Sequence, residues 1–75
     1  MITLFNRVVL LKDVPDKKLS VGDVGTIVHA YHNPEGYEVE FFALDGSTLA
    51  IETLSAHDIR EATDHEILHA RTITS

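Results

Sequence analysis

Apolar residues fall along the chain in short clusters separated by turn-forming residues, and the pattern is dominated by strands. Val8-Val9-Leu10-Leu11 is a compact apolar run with two β-branched residues, as in a buried strand. Residues 12–20 turn polar and contain Pro15, which predicts a long loop. Val21-Gly22-Asp23-Val24-Gly25-Thr26 then brings two glycines, suited to positive φ, a bulge or close backbone approach. A second strand is expected over 25–32 and a third over 37–44. The turn Asn33-Pro34-Glu35-Gly36 lies between them, with proline presetting one dihedral and glycine accepting a left-handed one. Asp45-Gly46-Ser47 leads to a fourth strand over 48–54. Ser55-Ala56-His57-Asp58 reads as a single helical turn feeding a short fifth strand around 59–61. The chain thus divides into a β domain over 1–61 and a tail over 62–75, of which 66–74 has the pattern of an extra strand.

Register follows from the side chains. A four-residue loop at 33–36 pairs His32 with Tyr37, Ala30 with Val39 and Val28 with Phe41. A three-residue loop at 45–47 pairs Leu44 with Thr48, Ala43 with Leu49 and Phe41 with Ile51. A two-residue Asp-Gly turn sets Glu40 opposite Ile51 and is rejected on that ground. The expected core is Val8, Leu10, Val24, Val28, Ala30, Val39, Phe41, Leu49, Ile51, Leu54 and Ile59.

Composition narrows the function. Seventy-five residues make one small domain with a thin core, and without cysteine neither a disulfide nor a thiolate metal site can staple it. No apolar run approaches the length of a membrane span, and the first residues lack the pattern of a secretory signal, so a cytoplasmic location is expected. Twelve acidic against six basic residues give a net charge of −6. Phosphate binding needs clustered Lys and Arg, and the only basic pair is Lys17-Lys18, so the charge argues against nucleic acid and for a protein partner with a basic surface.

Several segments together resemble a known family. Leu10-Leu11-Lys12-Asp13-Val14-Pro15, then Leu19-Ser20-Val21-Gly22-Asp23-Val24-Gly25-Thr26-Ile27-Val28, then Tyr37-Glu38-Val39-Glu40-Phe41 and Asp45-Gly46 look like the bacterial domain-of-unknown-function family numbered 4926. The resemblance covers residues 7–61. The Gly-Asp-Val-Gly-Thr segment alone is also similar to KOW-type and nitrile-hydratase-type SH3-like barrels. The resemblance implies an all-β, small SH3-like barrel of about five strands with no established enzyme activity, and no catalytic residues to carry over. Small proteins of this kind resemble antitoxin, immunity or accessory partners of a neighbouring protein.

Two constellations could carry chemistry. His65-Glu66-Ile67-Leu68-His69 is formally H-E-x-x-H, which on a helix holds zinc and activates its water. Strand-favouring Ile67, Thr72 and Ile73 instead spread the two histidines about 13 Å apart, too far for one metal. The second constellation comes from the register, which sets His29 beside Glu40 and Glu40 beside Glu52. Facing glutamates repel, and call for protonated His29, a partner's basic side chain or a divalent cation. Ile27, Tyr31 and Phe42 share that face. They require either a cover, from Ile2, Leu4 and Phe5 or from Ile67 and Leu68, or a docked partner.

The expectation is a non-catalytic protein-binding module without cofactor or metal, contacting a basic partner through Tyr31, Glu38, Glu40, Phe42 and Glu52. A tail strand offers a second route, self-association into a homo-oligomer. The alternatives are a metal-binding protein or hydrolase using the 65–69 string, and a KOW-like nucleic-acid-associated barrel.

Overall fold

A computed structural model describes residues 2–73. The chain is all-β. Five strands, β1 (Arg7–Leu10), β2 (Val24–His32), β3 (Glu35–Phe42), β4 (Thr48–Leu54) and β5 (Ile59–Glu61), form one antiparallel sheet in the order β4-β3-β2-β1-β5. The first four strands follow one another as a meander, and β5 returns to pair with β1.

The loop between β1 and β2 contributes more than its polarity promised. Pro15–Lys17 forms a single 3-10 turn, and Val14 and Leu19 bridge across it and bury themselves in the core. Two carboxylates hold the loop: Asp13 accepts from the Val21 N–H at 3.0 Å and Asp23 from the Ser20 N–H at 2.8 Å. The 55–58 segment is a turn rather than a helix. There Asp58 accepts from the Ser55 N–H at 3.0 Å, and Lys12 lies 3.5 Å from the same carboxylate oxygen.

The core consists of Val8, Leu10, Val14, Leu19, Ile27, Tyr37, Val39, Phe41, Ala50, Leu54 and Ile59, with Ile2, Ala30 and Ala56 packed against it. Close approach at Gly25 makes this packing possible. It faces Val8 across β1–β2, and its missing side chain is replaced by Val39, Glu40 and Phe41 of β3.

Register is where the structure corrects the sequence reading. Near the β2–β3 turn His32 faces Glu35 and Ala30 faces Tyr37, a shift of two residues that leaves Ala30 on the expected face. A β-bulge between Ile27 and His29 then inserts Val28 and moves the pairing by one, so Ile27 faces Val39. One residue inverts a strand's faces. Ile27, expected outside, is fully buried, while Val28 and Val24 are only half-buried.

The β3–β4 pair differs from expectation by the same single step: Glu40 faces Ile51, Phe41 faces Ala50, and Tyr37 faces Leu54. This is the register rejected for placing Glu40 opposite Ile51. Its reason is volume, because large Phe41 on the core face meets small Ala50. Leu49 and Ile51 therefore lie outside, not in the core. The turn closes through Ser47 and Gly46, with the Ala43 N–H donating to the Ser47 carbonyl at 2.8 Å.

Residues 62–73 form no strand, so the extra strand expected over 66–74 is not made within the described residues. Instead the tail is strapped back onto the domain at two points, described below.

Candidate docking face and tail cleft

Residues opposite one another in an antiparallel pair share a face, which fixes what the outer side of the sheet displays. Along β3 that side carries Glu38, Glu40 and Phe42 at two-residue spacing. One row runs His29, Glu38, Thr53, and the next runs Arg7, Thr26, Glu40, Ile51. Four of the five expected site residues, Tyr31, Glu38, Glu40 and Phe42, therefore belong to one face. Glu52 does not join them. It faces Val39 on the core side, so the expected stack of Glu40 on Glu52 is absent, and His29 lies beside Glu38 rather than Glu40.

The acidic residues have local partners that fix their positions. The Tyr31 hydroxyl donates to Glu38 at 2.9 Å, and this bond raises its pKa above the usual phenol value. The His29 and Tyr31 rings meet edge to face at 4.5 Å. The Thr48 hydroxyl donates to Glu40. Tyr31 remains 41% exposed and Phe42 45%, although each is an aromatic on a β-sheet surface.

Sequence reasoning missed the apolar residues that extend this face. Leu49 is 42% and Ile51 49% exposed, and Leu44 at the hairpin tip is fully so. Part of the signal was present: Asp45-Gly46 read as a two-residue turn gives the pairing observed from Phe41–Ala50 to Tyr37–Leu54 and turns Ile51 outward, whereas the loop is 43–47 and Leu49 is the extra residue of a bulge opposite Phe41 and Phe42.

The expected covers contribute only in part. Ile2 packs on the core, but Leu4 and Phe5 are exposed, as are Ile67 and Leu68. At the Phe42 end the tail forms the opposite wall of an open cleft of about 1260 Å3, lined by Val9, Val24, Phe42 and Leu49 from the domain and by Leu68 and Ile73 from the tail. Val9 lies there outside the core cluster, yet it is only 7% exposed.

Two clasps hold the tail. Arg60 grips Glu66 through Nη1 and Nη2, at 2.9 and 2.6 Å, and the Thr63 N–H donates to the same carboxylate at 2.7 Å. These contacts, Arg60 first, lower the Glu66 pKa to about 2. Arg71 donates from Nε to Asp23 at 2.9 Å and from Nη2 to the second carboxylate oxygen and to the Lys18 carbonyl. Partial burial pushes the Asp23 pKa up, but the Arg71 and Ser20 hydrogen bonds outweigh it and hold the carboxyl below its usual range. The pair is charge-assisted and forked, the strong form of this contact.

The clasp also takes in the 65–69 string. It lies on neither a helix nor a strand, and its glutamate is engaged by Arg60. Among the described residues no cluster of three or more His, Asp or Glu side chains is arranged to hold a metal ion.

A family model described as a domain of unknown function (DUF4926) matches residues 4–61. The chain belongs to the DUF4926 family. The DUF4926 match takes in all five strands and ends at the last residue of β5, and the strapped tail lies beyond it. Comparison with curated proteins and with solved structures returned no match. Among the described residues no helix is long and apolar enough to cross a membrane.

Proposed function

We propose that this chain is a small, non-catalytic protein-binding module of the SH3-like barrel type, acting in the cytoplasm as an antitoxin, immunity or accessory partner of another protein. The observation that carries the reading is the joint exposure of Tyr31 and Phe42 at the ends of a strip whose middle is Glu38 and Glu40. Aromatic anchors supply the apolar contact area of a protein interface, and a flanking carboxylate pair selects a partner bearing Lys or Arg. The net charge of −6 steers the same class of partner toward the surface. The acidic strip also speaks against a phosphate-backbone ligand, which needs the opposite charge.

The test starts from the basic protein recovered with this chain by pull-down from its source cells or encoded beside it. Glu38→Lys with Glu40→Lys is expected to weaken binding at least about tenfold and to flatten its salt dependence. Asp64→Lys, on the tail, is the control and should leave affinity within about twofold. Equal loss from both variants, or the absence of any saturable partner, contradicts the reading.

A further inference from the structure

The two edges of the sheet are built differently. β5 has three residues, two of them charged, and the tail leaves directly from it. Short, charged edges resist pairing with other chains. β4 is the other edge and has seven residues, with Glu52 as its one charge and neither proline nor lysine. Its outward residues Leu49 and Ile51 are exposed on the side next to that open edge. A register shift opposite Phe41 and Phe42 disturbs only the start of the strand, and from Ala50 to Leu54 the ladder is regular.

We propose that β4 pairs antiparallel with β4 of a second copy about a two-fold axis at Ile51, joining two five-stranded sheets into one. A two-fold interface uses the same patch twice, so the strand must complement itself. With the axis at Ile51, Ile51 meets Ile51 of the second copy, Leu49 meets Thr53, and Glu52 meets the small Ala50. An axis at Glu52 would stack two carboxylates directly opposite each other, which destabilises a sheet. An axis at Ala50 would put the irregular residue, Leu49, beside the centre of the ladder. The Ile51 register thus keeps like charges apart while covering the exposed aliphatic residues. Glu38 and Glu40, which suit a basic partner, lie on β3 and not on this edge, and the one charge of β4, Glu52, meets only Ala50 in the self-paired register. Each chain carries −6, so the pairing strengthens as salt screens the repulsion.

The chain has no cysteine, which makes cross-linking specific. Ile51→Cys, oxidised at micromolar protein, is expected to form a disulfide dimer about 100-fold faster than Leu44→Cys at the exposed hairpin tip. Paired strands hold the two thiols at millimolar effective concentration and within disulfide reach. Sedimentation of the unmodified chain should show dimer whose fraction rises from about 0.05 M to about 0.5 M salt. Ile51→Lys, and independently Thr53→Lys, should give folded monomer. A monomer at high concentration in all salts, or equal cross-linking rates at positions 51 and 44, overturns the proposal. No docking partner enters these measurements, so their outcome is separate from that of the proposed binding role.

Discussion

Gly25→Ala is expected to destabilise the domain by about 3 kcal/mol, the upper range for overpacking a core. An added Cβ would sit 2.5 Å from Val39 Cγ1, 3.0 Å from the Glu40 carbonyl oxygen and 3.0 Å from Phe41 Cε1. None of these neighbours can yield: Val39 is fully buried, the carbonyl belongs to a paired strand, and Phe41 fills the space over Ala50. Gly25 does not adopt positive φ, so the requirement is one of space and not of backbone conformation. A domain of this size has only about 4–11 kcal/mol of stability, so the melting temperature should fall by about 12–24 °C. Gly36→Ala meets only ordinary contact, at 3.7 Å from the Leu54 carbonyl oxygen, and serves as control. Thermal melts of the two variants check this. A Gly25→Ala protein melting within a few degrees of the parent would show that the β2–β3 approach is wrong.

Ile27→Asp should abolish folding at room temperature, whereas Val28→Asp should be tolerated. Ile27 is fully buried against Val39 at the bulge, and an unpaired carboxylate there costs about 4 kcal/mol or more. Val28 is the residue the bulge inserts, half-buried, and its substitution should cost about 1.5 kcal/mol or less. The bulge-free register demands the opposite order of damage. Circular dichroism of both variants with urea titration decides between them, and a folded Ile27→Asp beside an unfolded Val28→Asp would refute the observed pairing.

These two substitutions mark where sequence reasoning succeeded and where it stopped. The five strands, their all-β class and the family were legible because apolar clusters and turn residues are local signals. Val8, Leu10, Val39, Phe41, Leu54 and Ile59 were placed in the core correctly. The errors arose from single-residue steps. A bulge at Val28 and a second at Leu49, opposite Phe41 and Phe42, each leave composition unchanged while inverting a strand face, so Ile27 and Ala50 went in and Leu49 and Ile51 came out. The same steps moved Glu52 off the candidate face. Val14 and Leu19 were hidden in a polar segment whose apolar pair meets only through the bridge across Pro15–Lys17. The clasps of Arg60 on Glu66 and Arg71 on Asp23 join residues 6 and 48 positions apart, and the longer one leaves no local pattern.

The strapped tail adds a structural condition to the proposed binding role. Phe42 and Leu49 form one wall of the cleft whose other wall is the tail, so a partner reaching Phe42 approaches beside residues 62–73. The strip from Tyr31 to Phe42 spans about 20 Å along β3, long enough for an extended or helical segment of a partner to contact both aromatics.

The central claim, that this strip is where another protein docks, is tested most directly by site-specific photo-cross-linking in the source cells. A photoreactive phenylalanine analogue replaces Tyr31 or Phe42 on the outer face, and Leu11 or Val21 in the β1–β2 loop as controls. The account predicts one dominant protein adduct, shared by positions 31 and 42, lost on Glu38→Lys with Glu40→Lys, and absent from positions 11 and 21. Adducts of equal strength at all four positions, or none at 31 and 42, would contradict it.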